Sequence, residues 1–415
     1  MVFERCYSQA PWTKPSIGSL FTGVLPRVHR ATISHNDAQE LEKVTVQMLR
    51  PQFVTIAERL HEVGYHTAYF LANPHTQQEY GFARGFDHYH YMYSQECERQ
   101  AHEVIQWLYQ TAREPFFVFV HEIKPHRPYD PPPQSFERQH RVTIDAALEA
   151  LPEADKAILI DQHLVGKREG TRAMARRSVR ELSPDGLRLL AQLYQAQVDY
   201  MDTQFGRIFG FAKRQGLLER TLFAFTSDHG EAFNEHGRFY HSNSLYDEEL
   251  HVPLVIRPPG GIKATRIPWT VGLYDLYPTL LDIAGAPSPD YVQSTPLLDG
   301  RGSIIVTKDR PVLSDHDAGA LPPDRWSSSL IVGDHKIIAR EDPHRVQVFD
   351  RSVDAGETDD LAQATSPANP LVAALSEQLS TAKAKADALA TSFGEPEWVG
   401  PLDGMQDQLE ALGYM

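Results

Sequence analysis

The sequence is short of cysteine, of long apolar runs and of positive charge. Only two cysteines, Cys6 and Cys97, occur among 415 residues. They allow one disulfide at most, and give neither a disulfide framework nor a C-x-x-C metal knuckle. No apolar run approaches the roughly 20 residues that span a bilayer. The opening residues lack a basic stretch followed by an apolar one, so they do not read as a signal peptide, and the compartment stays open. Acidic residues outnumber basic ones by 55 to 40, a net charge of −15. That balance argues against a nucleic-acid surface, which would present a basic patch. A negative field also disfavours anionic ligands, so an anion site here needs local positive charge or a metal ion. Internal repeats and low-complexity tracts are absent as well.

What the chain does contain is a repeated alternation of helical and apolar strand patterns. "AERLHEVGYHTAYFLA" reads as a helix ending at Glu62, a stop at Gly64, and a strand. "AHEVIQWLYQTAREPFFVFVH" and "LLAQLYQAQVDYMDTQFGRIFGFAKRQGLLERTLFAFT" repeat the plan. This predicts an α/β fold with a mostly parallel sheet flanked by helices. Strands that are apolar throughout are expected to be covered on both faces. Ligands in such sheets collect beyond the carboxyl ends of the strands, which directs attention to the polar residues after "FFVFV" and "LFAFT". A polar insert near 133–185 interrupts the first domain, 1–302, and is placed to cover a site. Residues 303–390 read as a smaller α+β subdomain of short antiparallel strands followed by one amphipathic helix, and 391–415 as a tail.

Three stretches carry chemistry. After "LFAFT" come Asp228 and His229, a carboxylate and an imidazole at a strand end, with Glu231, His236 and His241 nearby. That pair suits a hard or borderline divalent cation. "VHEIKPHRPYDPPP" places Lys124 and His126 ahead of three prolines that fix an extended backbone, and either side chain can meet an anionic ester oxygen. "YSQAPWTKPSIGSLFTG" sets Thr13 and Ser16 ahead of a helix expected to begin near "GSLFTG". Free N–H groups at such a terminus suit an oxoanion. Thr13 or Ser16 can be a nucleophile, or simply a helix cap.

Together these stretches resemble the sulfatase family of the alkaline-phosphatase superfamily. "YSQAPWTKPSIGSLFTG" is similar to its nucleophile motif and "HRPYDPP" to its histidine loop. "TSDHGE", "EHG", "LYDEELHVPLVIRPPG" and "VGLYDLYPTLLDIAGAP" are similar to later blocks. The resemblance implies an alkaline-phosphatase-like sandwich and a metal-dependent hydrolase of sulfate esters, acting on a small-molecule or glycan substrate. It puts Thr13 at the nucleophile position, beside Lys14, which with Lys124 would bind substrate. Asp228 and His229 become metal ligands, with calcium first and magnesium, manganese or zinc as alternatives. His126 and His241 would hold the oxoanion, and Asp275 is structural. Oligomeric state is not implied.

Two departures shape the expectation. The family converts a Cys or Ser to formylglycine, which is not expected at Thr13, and Ile17 stands where the motif has arginine. A threonine must attack sulfur or phosphorus directly, as in the phosphodiester and phosphonate monoester hydrolases of the superfamily. The family also carries an acidic pair on a first strand upstream of the nucleophile. Only Glu4 is acidic among the twelve residues before Thr13. The resemblance thus implies a chain lacking that strand through a late start, and either an active hydrolase or a catalytically impaired relative.

Overall fold

The protein is described here by a computed structural model that defines residues 1–35, 44–92, 97–111, 115–163, 178–317, 326–341, 344–364, 369–394 and 398–399. The chain enters as strand β1 (Val2–Tyr7) and turns into helix α1 (Thr13–Thr22) and the short α2 (Pro26–His29). Strands β2 (Ile33–His35) and β3 (Val44–Gln47) follow. Next come α3 (Ile56–Glu62), β4 (His66–Leu71), β5 (His88–Tyr91), α4 (Cys97–Thr111) and β6 (Phe116–His121). The insert holds α5 (Pro133–His140), α6 (Ile144–Glu149) and α7 (Glu153–His163), and the long α8 (Pro184–Arg214) returns to β7 (Phe223–Thr226). A small hairpin of β8 (Ala232–Phe233) and β9 (Phe239–Tyr240) precedes α9 (Asp247–Leu250), β10 (His251–Arg257), β11 (Arg266–Gly272) and α10 (Leu276–Ala284). The C-terminal part contributes β12 (Val312–His316), β13 (Ser327–Val332), β14 (His335–Glu341), β15 (His344–Asp350), α11 (Leu361–Ala364), α12 (Pro370–Ser392) and β16 (Trp398–Val399).

Local chemistry accounts for the helix ends. Thr55 and Glu58 form a reciprocal capping box that starts α3. Ser183 caps α8 by accepting from the Gly186 N–H, with Pro184 in the first turn where a missing donor costs nothing. Two sheets make up the α/β part. One is parallel, in the order β5–β4–β6, and the other runs β11–β1–β10–β7 with β10 antiparallel to both of its neighbours. The main core lies between these sheets and α1, where Phe21 packs edge-on against Phe119 at 4.9 Å and Tyr69 at 5.8 Å. Burying each such ring contributes about 2–3 kcal/mol. The C-terminal sheet is antiparallel, β12–β13–β14–β15, and α12 covers it with Leu375, Leu379, Ala386 and Ala390.

The structure corrects several expectations. Helix α1 begins at Thr13, five residues earlier than expected, with Trp12 at the cap position and no side-chain cap, so neither Thr13 nor Ser16 caps it. The opening hexapeptide, whose charges hid it, is a strand paired on both sides. The insert is not merely polar cover: α5 to α8 close around their own apolar cluster, including Phe136, Leu148, Leu159 and Leu190. Part of the expected tail pairs with β3 through β16.

The largest correction concerns the two most apolar strands. β6 is only half-buried along most of its length, and Phe225 of β7 is 39% exposed. Among the described residues, β6 and β7 each present one unpaired edge. They share the cover of α4 and α8, and at their carboxyl ends His121 Nε2 comes within 3.9 Å of Asp228 Oδ2. Val2, Val255 and Phe225 stand in register across β1, β10 and β7, and all three are exposed.

Candidate active site

The sheet topology brings three carboxyl-end loops together: residues 8–13 after β1, 72–76 after β4, and 227–231 after β7. Side chains lock them. Ser16, in the first turn of α1, donates from Oγ to the Asp228 carbonyl at 2.6 Å, and Ser8 Oγ sits 2.9 Å from Ser16 Oγ. His29 holds the same turn from behind. Its Nδ1 accepts the Ala31 N–H at 3.0 Å, so Nε2 is the donor, reaching the Pro15 carbonyl and Ser19 Oγ, both at 3.1 Å. Gly18 makes room for that ring, since a Cβ there would lie 2.7 Å from it. Gly230 is needed for a similar reason: its Cβ would fall 2.1 Å from the Glu248 carbonyl oxygen.

Thr13 is buried, with Oγ1 between two groups. Asn73 donates to it from Nδ2 at 3.3 Å, and His229 Nε2 lies 3.4 Å away. His229 Nδ1 faces the Gly230 carbonyl at 2.8 Å and must carry a proton to do so. In the neutral ring this leaves the Nε2 lone pair pointing at the Thr13 hydroxyl. Asp228 Oδ2 is 3.6 Å from that same Nε2 and has no hydrogen-bond partner of its own. Burial pushes the Asp228 pKa up, but the neighbouring His229 and His121 imidazoles and the nearby Thr13 side chain outweigh it and hold the group below the ordinary carboxylate value.

A wall of imidazoles completes the site. The His241 ring lies 4.3 Å from that of His229 and 4.9 Å from that of His126. His241 Nδ1 meets Glu231 Oε1 at 3.1 Å, and His126 Nδ1 donates to the Arg127 carbonyl at 2.7 Å. Burial lowers both histidines well below the usual range, so both are neutral rings. Burial also raises Glu231, to about 7. His126 lies between two cis X-Pro bonds, at Lys124–Pro125 and Arg127–Pro128. His241 lies between two residues in the left-handed region, Tyr240 (φ 69°) and Ser242 (φ 65°).

Of the side chains expected from sequence, Thr13, Asp228, His229, His126 and His241 converge. Two others do not join them. Lys124 turns into its own loop, donating from Nζ to the Asp130 carbonyl at 3.2 Å. Lys14 points into the protein beside the nucleophile position. Its ammonium is fully buried 4.1 Å from the Tyr80 ring centroid, has no hydrogen-bond partner, and is driven well below the usual lysine range by burial. His236 also turns away, to Glu248 at 2.8 Å. Asp275 is structural in its contacts, accepting from Gly272 and Thr295 N–H groups and from Arg310.

The sequence reading missed Asn73 and His75, and pointed to His121 behind "FFVFV" without giving it a role. His75 is buried with its ring 5.8 Å from that of Trp12, and burial drives it well below the usual histidine range. The signal was available: Asn73 and His75 follow the strand "HTAYFLA", and polar residues at a strand's carboxyl end are where a site is expected. As for metal, Asp228 and His229 offer an orphaned carboxylate oxygen and an imidazole lone pair. Among the described residues, no group of three or more His, Cys, Asp or Glu side chains is arranged to hold an ion.

A family model described as Sulfatase matches residues 1–286. Mouse arylsulfatase K is 31% identical over 277 residues, which is 63% of this chain and 49% of the mouse protein. Human arylsulfatase K is 29% identical over 207 residues, 47% of this chain and 38% of the human protein. The chain thus spans about half the length of the first of these curated relatives and less of the second. Two solved structures are similar in fold alone. One, holding its substrate D-glucosamine-2-N,6-O-disulfate, superposes with a TM-score of 0.70 at 18% identity and covers 93% of this chain and 91% of its own. The other, phosphonate monoester hydrolase of Agrobacterium radiobacter, gives a TM-score of 0.68 at 18% identity, covering 93% and 88%.

Proposed function

The chain belongs to the sulfatase family, and from that membership we propose that it hydrolyses a sulfate ester of a small molecule or glycan, with Thr13 as the attacking group. One arrangement supports this reading above the others. The Thr13 hydroxyl sits between the Asn73 amide, which donates to it, and the His229 Nε2 lone pair, which can take its proton. Attack forms a bond from Oγ1 to sulfur and breaks the bond from sulfur to the ester oxygen. The proton held at His229 Nε2 is then available to the departing oxygen. Water attacking the same sulfur releases sulfate and restores the hydroxyl. The neutral rings of His126 and His241 line the space where the sulfate oxygens would lie, as hydrogen-bonding groups that add no charge.

A divalent ion, calcium first, would be held by Asp228 and His229 beside Thr13 Oγ1 and would polarise the sulfate oxygens. The donor set is a pair, and because ligation would occupy the one free imidazole lone pair, at Nε2, metal binding by His229 and proton transfer from Thr13 to it are alternatives. Residues 303–390 brace this site from one side, since Trp12 Nε1 donates to Asp317 Oδ1 at 3.1 Å.

A threonine hydroxyl can attack phosphorus as well as sulfur, so a phosphonate monoester or phosphodiester is the second substrate reading. The test is to assay the purified protein against an aryl sulfate, a phosphate diester and a phosphonate monoester, adding calcium, magnesium, manganese or zinc separately and measuring bound metal. Aryl sulfate turnover that disappears in Thr13→Ala supports the first reading. Turnover confined to phosphorus esters supports the second. Neither bound metal nor turnover of any ester overturns both and leaves a catalytically impaired relative.

A further inference from the structure

Arg127 has no role in the chemistry just described, yet it lies against the histidine wall. It follows His126 directly, and its guanidinium sits over the ring of Tyr240, the residue before His241, 4.5 Å from the centroid. The Tyr240 hydroxyl takes a hydrogen bond from it. Its charge reaches both His126 and His241 and helps keep those rings neutral. Its Nε is buried without a hydrogen-bond partner. Among the described residues no carboxylate comes within 4.0 Å of its nitrogens, and Glu231, the acid whose charge it influences, is bonded instead to His241 Nδ1.

An arginine held in this way is unusual. Guanidinium groups inside proteins normally meet a carboxylate, because the planar fork of donors matches two oxygens. Here the aromatic face of Tyr240 supports the cation without neutralising it. In a chain of net charge −15, such a cation beside the site gives local attraction to an anion that the rest of the molecule repels. Lys14, the other unsatisfied basic side chain near the site, is fully buried with its pKa driven down, whereas Arg127 is part-exposed.

We propose that Arg127 is a specificity-determining residue, which binds a second anionic group, a carboxylate or a further sulfate, on the substrate whose ester faces Thr13. This rests on the ester-hydrolase reading above. It places the preferred substrates among polyanionic esters and gives Arg127 the task of positioning them.

The experiment compares phenyl sulfate, the three carboxyphenyl sulfates and the benzene disulfates in the unmodified protein, Arg127→Gln and Arg127→Lys. The quantity read is the ratio of kcat/KM for each doubly charged ester to that for phenyl sulfate. A ratio cancels any general loss of folded protein, which a purely structural role would produce. For the best-placed isomer the expected ratio exceeds one in the unmodified protein. It should fall about tenfold or more in Arg127→Gln, mainly through KM, and be partly kept in Arg127→Lys, which retains charge but not the fork. Preference for the carboxylate or for the sulfate series identifies the second group. A ratio near one throughout the panel, or one unchanged by Arg127→Gln, overturns the proposal and leaves the hydrolase reading standing. If Arg127→Gln cannot be purified, a ratio in Arg127→Lys equal to that of the unmodified protein overturns it equally. Turnover of no sulfate ester by the unmodified protein overturns the hydrolase reading, and this inference with it.

Discussion

Two buried polar clusters flank α1 and α2, and they differ in one respect. On α2, Arg27 is fully buried and every nitrogen of its guanidinium is used. Nε and Nη2 bond Asp315, Nη2 also bonds Ser328, and Nη1 bonds Asp387. At the near end of α1, the cluster around Thr13 leaves Asp228 Oδ2, His121 Nδ1, Lys14 Nζ and Arg127 Nε without hydrogen-bond partners. An unpaired buried polar atom costs about 1–3 kcal/mol, so a fold keeps several together only where something else needs them. The satisfied cluster joins two parts of the chain, while the unsatisfied one is arranged for a ligand.

Four substitutions test that contrast, from the largest expected effect to the smallest. Thr13→Ala should remove turnover by at least about ten-thousandfold, as loss of a nucleophile does, while its denaturation midpoint moves little. A residual rate well above that level would make Thr13 a bystander. Arg27→Ala should do the opposite, costing about 3–5 kcal/mol in chemical denaturation, because Asp315 is left buried and unpaired. If the two variants lose stability equally, the distinction between the clusters fails.

The third concerns pH and the satisfied ring behind α1. Burial lowers His29 to about 3 from an ordinary 6.5. The unfolded chain therefore binds a proton that the folded chain refuses between those values, so stability should decline as pH falls below about 6.5. The limiting slope from this one group is about 1.4 kcal/mol per pH unit, and it ends near pH 3. Denaturation curves of His29→Gln should lose that component, and an unchanged slope would show that the ring is not the cause. The smallest effect is expected for Ser16→Ala. It removes the bond to the Asp228 carbonyl and should cost about 1 kcal/mol of stability. Slower turnover without a change in KM would further tie that bond to the placing of Thr13.

Much of this arrangement is legible in the sequence. The order helix, strand, helix from α3 to β7 follows from apolar spacing, and Asp228 and His229 stand out because they follow an apolar strand directly. Other parts were hidden for physical reasons. Arg5 and Glu4 disguise β1, which buries Phe3, Cys6 and Tyr7 and exposes Val2 and Glu4 while its backbone pairs on both sides. Apolar composition in β6 and β7 predicts full cover, but composition reports what a strand can bury and not whether a neighbour is there. The pair Asn73 and His75 sits in a turn with no periodicity, and only the fold places Asn73 against Thr13. Arg127 could not be picked out because its significance lies in what it fails to touch.

The backbone on either side of His241 has a further consequence. Tyr240 and Ser242 both adopt left-handed geometry that residues with side chains avoid, at about 1–3 kcal/mol each. Nothing in the local sequence would hold a hairpin excised from this region in that form. The orientation of His241 is therefore borrowed from the surrounding domain. A mutation far away that loosens the packing should let this segment relax first, so that competence for chemistry fades before the molecule unfolds.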